Sequence, residues 1–176
     1  MRIALLAGVV VLLAACGEKP ATDAGTAASP VETPPAPAAP PSSHPADAAA
    51  FVKYVPWNHA HPDVKKSGSG MEYVVLASGP ADGKPPTRAQ DVEVFYEGRL
   101  NTGGPAFDSA FERGESATFS VARVVPGFSE ALQLMKPGDR WIVFIPGNLG
   151  YGAEGRAPSI PPDADLVFEL ELVGVR

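Results

Sequence analysis

The chain has 176 residues, a formal net charge of −6 and a single cysteine. That length admits one domain of about 100–200 residues with tails, and the lone cysteine excludes an internal disulfide. With no block of Lys or Arg beyond Lys65-Lys66, nucleic acid and polybasic binding to membrane surfaces are poor readings, and the mild acidity serves solubility.

In chain order, Arg2 is a short positive region and Ile3–Leu13 an apolar run closed by Leu13-Ala14-Ala15-Cys16. A permanent membrane helix needs about 20 apolar residues, so residues 1–15 read as a secretory signal. The close resembles the bacterial lipobox. That resemblance implies diacylglycerol on the Cys16 thiol, cleavage before it and acylation of the new amino terminus. Two or more acyl chains anchor stably, whereas one is marginal. An ordinary secretory signal that happens to contain cysteine is the alternative. Gly17 rather than aspartate follows, which in enteric-type bacteria favours the outer membrane. The expected location is the bacterial cell envelope, lipid-anchored on the outer membrane and facing the periplasm.

Residues 16–50 are rich in Ala and Pro with almost no large apolar side chain. They cannot bury enough surface to offset the entropy of ordering them, which predicts a flexible tether. Residues 51–67 form an N-terminal extension. Phe51, Tyr54, Val55 and Trp57 could pack, but Pro56, Pro62 and Gly68 interrupt any long element. Packing on the domain and joining the tether both stay open.

Residues 68–176 are expected to form the domain, and most of its signals are strands. Met71–Ala77 is a short apolar run ended by Ser-Gly-Pro. Val92, Val94 and Tyr96 alternate with Glu93, Phe95 and Glu97, predicting a strand with one face inward. Thr118–Val121 is a further strand candidate, and Trp141–Ile145 is a continuous apolar run between Gly and Pro breakers. Leu166, Phe168, Leu170 and Leu172 alternate with Glu169 and Glu171, the clearest period of two in the chain. Turns are expected at Ser78–Pro86, Asn101–Pro105 and Pro158–Asp163.

One segment has helical spacing. Phe128, Leu132 and Met135 lie at i, i+4 and i+7 with Ala131 on the same stripe, opened by Pro126-Gly127 and stopped by Pro137-Gly138. One short helix among five or six strands predicts an α+β fold, a curved antiparallel sheet wrapped around the helix.

The fragments VFYEGRL, AFDSAFERG, ARVVPGF, GYGAEG and SIPPDADLVFELELV carry a joint pattern. In this order, over about residues 68–176, they resemble the FK506-binding-protein (FKBP) family of peptidyl-prolyl cis/trans isomerases. The resemblance implies the same architecture, no cofactor and no metal. By the same match the proline ring sits on Phe128, where many relatives carry tryptophan. Tyr96, Phe107, Val124, Val125, Tyr151, Ile160 and Phe168 line the walls. Asp108 accepts hydrogen bonds from Tyr96 and Arg113. The Tyr151 hydroxyl meets a substrate carbonyl, and Val125 offers backbone groups to the peptide. Tyr96, Asp108 and Tyr151 are the expected catalytic residues. Phe107, Arg113, Val124, Val125, Phe128, Ile160 and Phe168 are the expected substrate-binding residues. Read singly, Val124, Ile160 and Phe168 are ordinary core, and Asp108 a turn residue; the joint pattern carries the assignment.

Two departures stand out. Ala117 replaces an aromatic wall common between Arg113 and Phe119, and Arg156 stands at a lip where histidine is common. They imply a more open pocket and a shifted preference for the residue before proline.

Other signals weigh less. Gly150-x-Gly152-x-x-Gly155 matches a dinucleotide fingerprint, but Pro158, Pro161 and Pro162 forbid the helix that motif needs, leaving a flexible loop over the pocket. His59-Ala60-His61 lacks a third ligand at a useful spacing and reads as a solvated pair. Ser109, Ser129 and His44 form no recognisable triad. Asp163 and Asp165 read as solvent-facing turn residues.

The expected function is isomerisation of X–Pro bonds in exported proteins, with proline-containing segments as partners and macrolides such as FK506 as further ligands. The alternative is a proline-binding chaperone or adhesin module with little catalysis. Residues 16–67 look too short and proline-rich for a helical dimerisation arm, so a monomer is expected.

Overall fold

A computed structural model of the protein describes residues 51–176. The signal segment, Cys16 and the Ala/Pro-rich stretch lie outside the described residues. No helix among the described residues is long and apolar enough to cross a membrane.

Among the described residues seven strands make one antiparallel sheet: β1 Lys65–Lys66, β2 Glu72–Ala77, β3 Asp91–Leu100, β4 Asp108–Ser109, β5 Ala117–Ser120, β6 Arg140–Ile145 and β7 Leu166–Val175. Their order is β1-β2-β6-β7-β3-β4, and β5 also pairs with β3. The sequence pointed to five or six strands. β1 and β4 have two residues each, too few for an alternation to register. β7 lies between β6 and β3, with Tyr96 opposite Leu170 and Val143 opposite Phe168.

The described residues also hold the α-helices α1 (Ala110–Arg113) and α2 (Pro126–Leu134) and short 3-10 turns at Gly147–Leu149 and Gly152–Glu154. Ser109 caps α1 by accepting from the Glu112 amide at 3.1 Å, and Gly114 ends it at φ 70°. α2 starts with Pro126, which has no N–H to leave unpaired there. Gly127 is required by contact, since a Cβ would come within 2.6 Å of Ile145.

The period of two sorts the side chains of β6 and β7 onto opposite faces. On the concave face Trp141, Val143, Ile145, Leu166, Phe168, Leu170 and Leu172 pack with Phe128, Ala131, Leu132 and Met135 of the α2 segment. On the outer face Ile142, Phe144 and Val167 form a second cluster with Val74, Phe51 and Trp57.

Residues 51–64 therefore strap across the back of the sheet. Trp57 stacks on Phe144 with centroids 5.8 Å apart, and its Nε1 donates to buried Glu72 at 2.7 Å. Lys66 Nζ and His59 Nδ1 approach the same carboxylate at 2.8 and 2.9 Å. Burial pushes the Glu72 carboxyl up, but hydrogen bonds from Lys66, Trp57 and His59 outweigh it and hold the group below its ordinary range.

His59 is exposed, as read from the sequence, but it is not incidental. Its ring also meets Phe144 edge-on at 5.1 Å, while His61 packs on Tyr54. Asp165 is corrected too. It is half-buried, and its Oδ1 accepts from the Gly147 amide at 2.9 Å.

The alternating glutamates of β3 and β7 differ from expectation as well. Glu93, Glu97, Glu169 and Glu171 are all buried. Arg176 and Ser116 hold Glu93, Arg99 and Ser109 hold Glu97, and Arg140 holds Glu169. Between them Phe95 lies under Phe111 of α1, with ring centroids 5.5 Å apart.

Candidate functional site

At one end of the concave face, where α2 begins, a cavity of about 370 Å³ opens. Phe128 is its floor, the first aromatic residue inside α2 and 5 % exposed. Phe168 of β7, Phe119 of β5 and Tyr96 of β3 meet the Phe128 ring edge to face at 5.3, 5.9 and 6.3 Å. Such contacts between rings prefer this geometry and fix each plane. Phe107 closes a further side, edge-on to Phe168 at 5.6 Å.

Gly98 makes that wall possible. It sits opposite Phe168 in the ladder, and a Cβ there would come within 2.6 Å of both the Phe107 and Phe168 rings. Val124 and Val125 line the rim at the start of α2. The Val125 carbonyl accepts from the Ser129 amide at 3.0 Å, so it is already engaged in the helix.

One polar cluster faces this apolar cup. Tyr96 donates to Asp108 Oδ2 at 2.5 Å, and Arg113 Nη1 donates to Asp108 Oδ1 at 2.6 Å. Arg113 Nη2 also donates to the Tyr96 hydroxyl at 3.2 Å. β4 positions the carboxylate, through the pairing of Asp108 with Gly98 of β3.

Burial pushes the Asp108 carboxyl up, but hydrogen bonds from Tyr96 and Arg113 and the Arg113 charge hold it below the ordinary carboxylate range. Burial and the neighbouring carboxylate raise the Tyr96 hydroxyl. At neutral pH the pair is therefore a phenol and a carboxylate. Across the mouth, Arg156 Nη1 donates to the Tyr151 hydroxyl at 3.3 Å, with its guanidinium 5.8 Å from that ring's centre.

Of the ten residues expected from sequence, Tyr96, Phe107, Asp108, Val124, Val125, Phe128, Tyr151 and Phe168 line the cavity. Arg113 stands behind Asp108 and reaches the cavity through it. Ile160 differs: it is 3 % exposed and sits under an adjoining groove of about 270 Å³. The Arg156–Ile160 bridge closes the turn of that loop, with amide-to-carbonyl bonds of 2.8 and 2.9 Å.

Phe119 and Arg123 line the cavity without having been expected to. Phe119 had a signal, as the aromatic member of a short alternating strand. Arg123 lies in a turn without periodicity, and its only signal was its place in the fragment ARVVPGF, directly before Val124 and Val125.

Such a site can take a flat apolar ring and present one carboxylate, one phenol and exposed guanidiniums around it. Among the described residues no cluster of His, Cys, Asp and Glu could hold a metal ion.

Residues 83–173 match the family model described as FKBP-type peptidyl-prolyl cis-trans isomerase. The chain is 43 % identical over 128 residues to the FKBP-type 22 kDa peptidyl-prolyl cis-trans isomerase of Escherichia coli, covering 73 % of this chain and 61 % of that protein. It is 41 % identical over 119 residues to the peptidyl-prolyl cis-trans isomerase Mip of Coxiella burnetii, covering 68 % of this chain and 50 % of that one. The chain thus spans between half and about three-fifths of these curated relatives. Among solved structures, a peptidyl-prolyl cis-trans isomerase from Pseudomonas syringae superposes with a TM-score of 0.62 at 35 % identity, covering 72 % of this chain and 91 % of that one.

Proposed function

Because the chain belongs to the family of FKBP-type peptidyl-prolyl cis-trans isomerases, we propose that it accelerates cis/trans isomerisation of X–Pro bonds in exported proteins. The observation that carries this reading is the aromatic cup floored by Phe128, with the Tyr96–Asp108 pair on its wall.

An X–Pro bond turns over a barrier of about 18–20 kcal/mol, because rotation breaks amide resonance. No bond need be made or broken to lower it. The site has only to hold the twisted amide better than either planar form.

The pyrrolidine ring packs on Phe128 between Phe168 and Tyr96, which strips water from the amide. Planar amides carry the larger charge separation and lose more when water is removed. The Asp108 carboxylate near the amide oxygen further disfavours the planar, polarised form. The Tyr151 hydroxyl and the Val125 amide are the groups offered to the flanking peptide carbonyls, which fixes the chain while the bond turns.

The test is isomerisation of short X–Pro peptides by the full chain, with FK506 as competitor. Turnover above the uncatalysed rate, suppressed by FK506, is the expected result. Peptide binding without turnover would reduce the protein to a proline-reading module.

The envelope location rests on the N-terminal sequence, where the Leu-Ala-Ala-Cys close supports lipidation at Cys16. The expected outcome of Cys16→Ser is loss of the protein from the membrane fraction on cell fractionation; retention would remove the anchor. We read the protein as a monomer acting on proline-containing segments, and a sedimentation mass of twice the chain would overturn that.

A further inference from the structure

The arginines of this acidic chain fall into two groups. Arg99, Arg140 and Arg176 each meet a buried glutamate on the outer face. Arg113 meets Asp108. Arg88, Arg123 and Arg156 form no ion pair among the described residues, Arg156 meeting the Asp108 charge only at longer range, and all three are exposed.

Those three lie together along one track. Arg123 and Arg156 line the aromatic cavity itself. Arg88 lines a groove of about 330 Å³ beside α2 that meets the cavity at Val124. On the other side, the groove over Ile160 meets the cavity at Phe107, Asp108 and Arg156.

The carboxylates along this track are already engaged. Asp108 is held by Tyr96 and Arg113, and Glu130 accepts from Ser69 Oγ at 2.5 Å. Four guanidiniums thus face two occupied carboxylates, on a chain whose net charge is −6. An unpaired surface arginine is unremarkable singly. Here the arginines without an ion pair among the described residues are the ones that border the cavity and its grooves.

We infer that the preferred substrates carry an acidic side chain next to the proline, read by Arg156 and Arg123, with Arg88 extending the selection further along the chain. This rests on the isomerase reading of the cavity. A guanidinium takes a carboxylate through paired hydrogen bonds, and its planar fork is suited to the task. Complementary charge at an open rim also steers encounter and is screened by salt.

The test uses acetylated, amidated peptides with Glu, Gln or Lys immediately before or after proline. Turnover is read by exchange NMR, and affinity by anisotropy of labelled copies. Glu is expected to exceed Gln about three- to tenfold in kcat/KM at one or both positions, with Lys below Gln. The ratio should shrink as salt rises to about 0.5 M. It should fall toward one in Arg123→Gln or Arg156→Gln, and further when Arg88→Gln is added.

A Glu to Gln ratio of one or less at both positions overturns the inference. So does a ratio unchanged in the triple variant, whatever its absolute rate. If no peptide turns over but Glu peptides bind more tightly, the isomerase reading fails and the acidic preference stands. Equal turnover of all three series gives the reverse.

Discussion

Asp108→Ala is expected to lower kcat/KM for X–Pro isomerisation by about 10- to 100-fold while leaving the fold intact. The carboxylate accepts from Tyr96 at 2.5 Å and from Arg113 at 2.6 Å, and both donors lose their acceptor together. Hydrogen bonds to charged groups contribute about 1.5–3 kcal/mol, and about 1.4 kcal/mol is tenfold in rate. Asp108 and Arg113 are both partly exposed, so water can take over much of what the folded state loses. Asp108→Asn keeps the shape and removes the charge; an activity equal to the parent would refute an electrostatic role.

The pH dependence follows from the same contacts. The folded Asp108 lies below its unfolded value, so its contribution to stability is fully present above the ordinary carboxylate range. It is lost as pH falls through the depressed folded value. Turnover should follow the same direction, holding through pH 5 and falling only below the usual aspartate range of about 3.9. A loss of activity between pH 7 and 5 would point to another group.

Phe128→Ala should have the larger combined effect. The side chain is 5 % exposed and meets Tyr96, Phe119 and Phe168 edge to face. Truncating such a ring costs about 3–5 kcal/mol of stability. The same change empties the floor on which the proline is placed, so turnover should drop by more than about 100-fold. Phe128→Leu separates the two consequences. It keeps most of the volume and should cost about 1.5 kcal/mol or less in a urea titration, yet its turnover should fall well below the parent's. If Phe128→Leu were fully active, aromatic packing on the pyrrolidine would not be part of the mechanism.

The concave half of this molecule was legible because its residues obey one period each. Leu166, Phe168, Leu170 and Leu172 face the core through a period of two, and Phe128, Ala131, Leu132 and Met135 meet them through helical spacing. The outer half was not. Alternation tells apolar from polar faces but not whether the polar face is covered. Glu93, Glu97, Glu169 and Glu171 look solvent-facing in sequence and are buried in the structure. What covers or pairs with many of the residues on that face is remote in the chain: Trp57 reaches Glu72, and Arg176 reaches Glu93. Contacts over such separations leave no local pattern. The candidate site divides the same way. Tyr96, Phe107 and Phe168 were legible only through the joint pattern that resembles the family, since each read singly is ordinary core or turn, whereas Arg123 lies in a turn with no periodicity and is placed only by the start of α2.

The strap over residues 51–64 has a mechanical consequence. The described chain begins at Phe51, buried on the outer face, while the cavity opens on the concave face. Tension applied upstream of Phe51 would first load the Trp57–Phe144 stack and the Glu72 cluster, and next the two-residue strand β1. None of these lines the cavity. Were the protein fastened through Cys16, as proposed, a bulky client pulling on the domain would load the strap before the aromatic cup.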